Sequence, residues 1–487
     1  MDRLDAVLLK QAQRVLPLPF LLGAETDDGE AVEVRVSEIL RVLPGRRIAG
    51  IAHQVAPQTT HQTAEQDDRK LFVKLFIGRG ARRYFRRDLN GMAAIKKAGV
   101  PTPDILWHGK FDGDGYIIAF SYIDNAVSLL DKWHTQNPNL LDGLMDNALE
   151  ILARLHSAGV RQNDIHLDNF LVRPEADREH IYVLDGGGVS RGGLSQRVWL
   201  DNLALFFAQF SQPPDDIDAV LASYCQHRGW PKPPVRAKAL LAKINKHRRA
   251  IKRRHLRKAY RECTRFVCER SWSQFLVCQR DCYSPDMRSF LKQLDAAIAA
   301  GEPLKAGNTA TVAAVNSPVG KLVVKRYNIK DIRHLLGRLF RPSRAWRAWG
   351  AAWLLEFYGI RTPIPIAMLE ERMGPLRRRA YLVSKYEAAP SAATLPNLEP
   401  HQQEAAIAGI ANLIKQLDKT NITHGDLKSS NFLLTTEGVA LIDLDSVRDC
   451  RSFGRWKAKA HNKDIARFLR NWDDSPDIKA AFTNLLQ

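Results

Sequence analysis

Two short stretches, one in each half of the chain, carry the same reactive residue types at the same spacing. In the second half, His424-Gly425-Asp426 leads to Asn431, five residues after the aspartate, and a β-type run over 439–442 delivers Asp443. In the first half, Asp164 leads to Asn169, again five residues on, and residues 181–184 deliver Asp185. Upstream, Leu71-Phe72-Val73-Lys74 and Leu322-Val323-Val324-Lys325 each end in a lysine. One carboxylate can take a proton from an attacking hydroxyl. An amide oxygen and a second carboxylate suit a hard divalent cation, and a lysine offers a point charge to phosphates. Together these are the parts of phosphoryl transfer, where catalysis is mostly positioning and charge neutralisation.

The elements that must hold these residues also repeat. Gly99-Val100-Pro101-Thr102-Pro103 returns as Gly359-Ile360-Arg361-Thr362-Pro363, and all four landmarks recur 251 to 262 positions later in unchanged order. A repeat of that length is a duplicated domain, not a solenoid. Within each copy the pattern reads as β-type segments ending in the lysine strand, then a helix stopped by the Gly/Pro turn. Strand-like runs, a helix, the Asp/Asn loop, a strand ending in Asp, and further helices follow. The expected fold is therefore α+β: two tandem protein-kinase-like bilobal domains, each with a small β-rich lobe and a larger helical lobe. The expected boundaries are 1–235 for the first domain, 236–294 for a basic helical bridge, and 295–487 for the second.

The order lysine, Asp, Asn, Asp is that of the protein-kinase phosphoryl-transfer site. Gly425 stands where protein kinases commonly carry an arginine that pairs with a phosphorylated activation loop, which favours a small-molecule acceptor. The expected roles are Asp426 and Asp164 as catalytic base, Asn431, Asp443, Asn169 and Asp185 as Mg²⁺ ligands, and Lys325 and Lys74 on the ATP phosphates. Counting 11 residues back from the turn glycine gives Asp88 as the acid that holds Lys74. The same count in the second copy lands on Ala348, which leaves either no such pair or Glu356 from another turn. Glycines that could cradle phosphate are sparse: Gly45 and Gly50 in the first copy, Gly307 in the second.

Lys325-Arg326-Tyr327-Asn328, Arg341-Pro342-Ser343-Arg344-Ala345, Trp349, GIRTPIPIA, HGDLKSSN and Leu441-Ile442-Asp443-Leu444-Asp445 resemble the lipopolysaccharide-core sugar kinases, the bacterial heptose and Kdo kinases. The resemblance covers most of the second copy and is looser over the first. It implies ATP- and Mg²⁺-dependent phosphorylation of a sugar hydroxyl on the inner core of the lipid A–core substrate, at the cytoplasmic side of the inner membrane. The first copy departs from it, with Gln162-Asn163 where His-Gly is expected. That copy is either a second active site or a degraded, substrate-binding partner.

The chain has 72 Lys and Arg against 53 Asp and Glu, a net charge of +19, which favours a polyanionic partner. Lys243 to Lys258, KINKHRRAIKRRHLRK, holds nine basic residues in sixteen and no acid. It reads either as a solvated linking helix or as a contact to anionic lipid or charged saccharide. No nucleic-acid-binding signature accompanies the charge, so nucleic acid is not an expected partner. Arg82, Arg83, Arg86 and Arg87 precede the first turn motif; Arg338, Arg341, Arg344 and Arg347 precede the second, with Trp346 and Trp349 among them. Such clusters suit a carbohydrate bearing phosphate or carboxylate, or simply pack a helix on its own lobe. The N-terminus, with Asp2 and Asp5 and no clean apolar run, reads as a poor signal peptide, and no apolar stretch is long enough to span a bilayer. Six cysteines without a CxxC pair read as free thiols in a reducing cytoplasm. Two other functions stay open: a small-molecule kinase of the aminoglycoside or choline kinase type, and a pseudokinase scaffold.

Overall fold

The computed structural model describes residues 2–12, 16–55, 69–135, 138–175, 179–193, 195–210, 214, 216–306, 310–328, 342–374, 376–450 and 454–486. They form two compact units, Met1–Arg248 and Arg249–Gln487, each mixing a mostly antiparallel sheet with helices.

In the first unit, alternating apolar residues such as Val32, Val34 and Val36 in Ala31–Leu43 turn one sheet face into a core. The lysine strand β1, Lys70–Phe76, lies centrally between Arg47–Val55 and Gly115–Ser121. Phe20–Thr26 pairs with both Ala31–Leu43 and Ile105–Phe111, so the strands close into a ring without a free edge there. Gly109 permits that closure, because a Cβ on it would sit 2.0 Å from the Glu25 carbonyl oxygen. Helix α1, Ala81–Lys97, buries Ala81, Phe85, Asp88, Met92 and Ile95, a three/four spacing that defines one inward face. Gly99, at φ 69°, ends it in the left-handed region.

The second unit repeats the plan with an open sheet. Its lysine strand β2, Gly320–Tyr327, lies between Ala310–Ser317 and Leu376–Lys385, and helix α2, Arg344–Phe357, follows. The hairpin Phe266–Arg270 and Gln274–Gln279 extends this sheet by pairing with Pro365–Met373. That differs from the expected bridge over 236–294. Only Ala237–Lys258 of it is one long helix, and the rest supplies strands and short helices to the second unit. The reason is burial: Phe266, Phe275, Leu276, Val277 and Cys278 are apolar positions that need a core, and they obtain it beside Trp349 and Trp353 or Leu322 and Val324. The long helix is not wholly solvated either, since Leu240, Ile244 and Arg248 are buried and Lys243 pairs with Asp201.

No described helix is long and apolar enough to cross a membrane.

Candidate functional site

The repeated loops are held by repeated hydrogen bonds. In the second unit, the Leu441 N–H donates to the Arg361 carbonyl at 2.9 Å and the Ile442 N–H to the Asn431 carbonyl at 2.9 Å. In the first, Val183 N–H donates to Pro101 at 2.9 Å and Leu184 N–H to Asn169 at 2.7 Å. The Asn431 amide donates to the Asp426 carbonyl at 2.9 Å, and the Asn169 amide to the Asp164 carbonyl at 3.3 Å. His424 Nε2 meets the Ile442 carbonyl at 3.0 Å, and Gln162 Nε2 donates to the Leu184 carbonyl at 3.4 Å. A side-chain amide thus does for the first loop what an imidazole N–H does for the second.

Together these bonds close the Asp/Asn loop on itself and tie the strand that delivers the next aspartate to that loop and to the Gly/Pro turn. Asp443, at φ 61°, and Asp185, at φ 67°, both sit in the left-handed region, a strained geometry for a side-chain-bearing residue that clusters at functional sites.

Lys325 Nζ lies 2.6 Å from Asp443 Oδ1 and 2.9 Å from Asp445 Oδ2. Asp445 is buried, and it also accepts from Arg344 of α2 at 2.6 Å and from the Tyr327 hydroxyl at 2.5 Å. Burial, reinforced by Asp445, pushes the Tyr327 phenol far up, so it remains a donor. Burial alone would raise the Asp443 carboxyl, yet the Lys325 ammonium beside it holds it below the ordinary carboxylate value. Glu356 is engaged elsewhere, in a bidentate pair with Arg265 at 2.7 Å for both contacts, and Ala348 is buried. The helix therefore contributes an arginine, not an acid, to the lysine's surroundings.

Asp426 is flanked by Lys428 at 3.2 Å and Arg467 at 3.0 Å. Arg467 belongs to α3, Gly454–Leu469, and one turn earlier on that helix Asp464 accepts the His424 N–H at 2.7 Å and the Gly425 N–H at 3.0 Å. Neither residue stood out in the sequence; the only signal was an acid followed three residues on by a base in a segment otherwise read as plain helix. Gly425 is required here twice over: its φ is 78°, and a Cβ would meet the Ser446 carbonyl oxygen at 3.0 Å.

In the first unit, Lys74 Nζ contacts both Asp88 oxygens, at 3.0 and 3.1 Å, and Asp185 Oδ1 at 3.1 Å. Arg47 adds a second cation, 3.4 Å from Asp185 and 3.6 Å from Asp88. Burial favours the neutral form of Asp88, while Lys74 and Arg47 outweigh burial at Asp185 and hold it well below the carboxylate range. Asp164 is mostly exposed, with His166 Nε2 at 3.2 Å. The loop anchor is neutral: Asn202 donates to the Gln162 carbonyl at 2.6 Å, and His156 links Asn202 to Tyr224 at 3.0 and 2.7 Å.

Gly45, at φ 65°, makes the turn before Arg47, whereas Gly50 lies inside a strand where a Cβ would press on Glu38 O at 2.4 Å. Gly307, Arg338 and Arg341 lie outside the described residues.

The oxygen donors fit a hard cation. Asn431 and Asn169 each spend their amide N–H on the loop, and no described residue donates to either amide oxygen. Among the described residues, one Asp443 oxygen likewise has no hydrogen-bond or ion-pair partner. Among the described residues no group of three or more His, Cys, Asp or Glu side chains converges as a metal cage.

Residues 293–487 match the model of the lipopolysaccharide kinase (Kdo/WaaP) family. The resemblance read in the second half of the sequence and this match fall on the same segment. No curated protein matches the chain. A solved structure described as WaaP in complex with acyl carrier protein aligns with 44% of this chain and 88% of its own at 18% identity. Its TM-score of 0.33 is too low to carry a structural inference.

Proposed function

We propose that the second unit, whose residues 293–487 carry the lipopolysaccharide kinase pattern, transfers the terminal phosphoryl group of ATP to a sugar hydroxyl of the lipopolysaccharide inner core, a heptose or Kdo. Asp426 receives the hydroxyl proton as the acceptor oxygen bonds to phosphorus and the bond to the departing ADP breaks. Arg467 and Lys428 hold that carboxylate in place. Asn431 and Asp443 would hold Mg²⁺, which would screen the triphosphate's charge. Lys325 steadies the phosphates once nucleotide arrives, released from its present carboxylate partners. The reaction belongs at the cytoplasmic face of the inner membrane, and the basic residues of 243–258 suit a peripheral contact with anionic lipid.

The observation that carries this reading is the contact of Lys325 with Asp443, beside the hydrogen-bonded Asp426–Asn431 loop and within the family-matched segment. Mass spectrometry of core lipopolysaccharide from cells with and without the gene tests it. The deleted strain is expected to lack one phosphate, restored by wild type and not by Asp426→Asn. An unchanged core, or purified protein that phosphorylates aminoglycosides or choline but not core oligosaccharide, refutes it.

For the first unit we propose a kinase-like fold without catalysis. Arg47 puts a fixed positive charge against Asp185, where a catalytic copy needs room for a cation. The matching test is Asp164→Asn, which is expected to leave turnover unchanged.

A further inference from the structure

The outer face of α1 has no part in the chemistry above. Arg82, Arg83, Arg86 and Arg87 are exposed on it, spaced so that 82/86 and 83/87 lie one turn apart. With Arg191, on the strand Val189–Arg191 that leaves the Asp185 turn, they line a cavity of about 670 Å³. That volume is ligand-sized. No acidic residue lines the cavity, and none of the five arginines pairs with a carboxylate among the described residues. By contrast, Arg344 on the equivalent helix of the second unit is spent on Asp445.

Five guanidinium groups around one concavity repel one another unless an anion enters, and each presents a planar donor fork that matches two phosphate oxygens. We propose that this cavity binds a ligand bearing two or more phosphoryl groups, as a free anion or as a lipid headgroup. A lone monoanion would leave most of the charge uncompensated. Both walls reach the lysine cluster of this unit. α1 carries Asp88, and Gly91 packs so tightly on the turn after Asp185 that a Cβ would sit 2.0 Å from the Gly186 carbonyl oxygen. An anion bridging Arg83 or Arg87 to Arg191 therefore pins the helix to that turn. The proposal does not depend on the second unit being a kinase.

The test is calorimetric titration of the full chain with pyrophosphate, and flotation with phosphatidylcholine vesicles with and without diphosphoryl lipid A. Wild type is expected to bind at least one probe saturably, with affinity falling as salt rises. Arg83→Ala/Arg87→Ala on one wall and Arg191→Ala on the other should each weaken binding by about tenfold or more, the loss expected from charge-assisted hydrogen bonds. Melting temperatures without ligand should stay unchanged, since these side chains are exposed. Binding of pyrophosphate alone identifies a soluble source; binding of the doped vesicles alone identifies a headgroup. If neither probe binds, or if both variants bind as tightly as wild type, the proposal is overturned.

Discussion

Lys325 is gripped by Asp445, a carboxylate two residues beyond the expected metal ligand, at 2.9 Å. In the first unit the corresponding lysine takes its second carboxylate from Asp88 of α1. The two units therefore solve one electrostatic problem, restraining a largely buried ammonium, with acids from different elements. In the second unit the helix is still tied in, because Arg344 meets the same Asp445 oxygen.

That arrangement makes Asp445→Asn informative. It keeps the shape and removes the charge shared by Lys325 and Arg344, so phosphoryl transfer should fall about tenfold or more, the scale of a lost charge-assisted hydrogen bond. Glu356→Gln, which touches only the contacts with Arg265 and His255, should leave turnover unchanged. Steady-state kinetics on core oligosaccharide reads both.

Asp426→Asn should lower turnover by about 10²- to 10⁴-fold, the usual contribution of a general base, while nucleotide still binds. Comparing kcat with ATP affinity separates the two effects. Full turnover in this variant would remove Asp426 from the chemistry.

Asp464 is buried and satisfies the backbone N–H groups of His424 and Gly425, which lead into the Asp/Asn loop. Asp464→Ala strands both donors and should cost about 2–4 kcal/mol of stability in the second unit. Denaturant unfolding measures the loss, and a neutral result would mean the loop is held by other contacts.

His156 gives the first unit a pH dependence. Burial, helped by Arg228 and Arg161 and opposed by the Asn202 bond, pushes its imidazole down to about 4 from 6.5. Asn202 spends its N–H on the Gln162 carbonyl and offers its oxygen to the imidazole, so Nε2 carries the proton and Nδ1 accepts from Tyr224. As pH falls, the unfolded chain takes up a proton before the folded one does. This contribution to stability is full above pH 6.5 and is lost progressively toward pH 4. The loss is on the order of 3 kcal/mol by the linkage between pKa shift and free energy. The unfolding midpoint of wild type should drop between pH 7 and pH 4.5 by more than that of His156→Gln, which cannot titrate there.

The local parts of both loops were legible from residue types and spacing. An aspartate five before an asparagine can close the same short turn wherever it occurs, and alternating apolar residues specify strands because side chains alternate across a sheet. Gln162 in place of histidine reads as a departure from the family pattern, yet it makes the equivalent hydrogen bond to Leu184, because the loop needs only an N–H donor there.

What the amino-acid sequence alone determined was the duplicated order of lysine strand, Asp/Asn loop and final aspartate, along with the positive charge. Those depend on near neighbours and composition. Only the tertiary structure decided which acid holds each lysine, that Asp464 and Arg467 brace the second Asp/Asn loop, and that residues 266–279 join the second sheet. These contacts join positions as far as 120 residues apart. The packing of helix on sheet brings them together, and no periodicity along the chain encodes which partners meet.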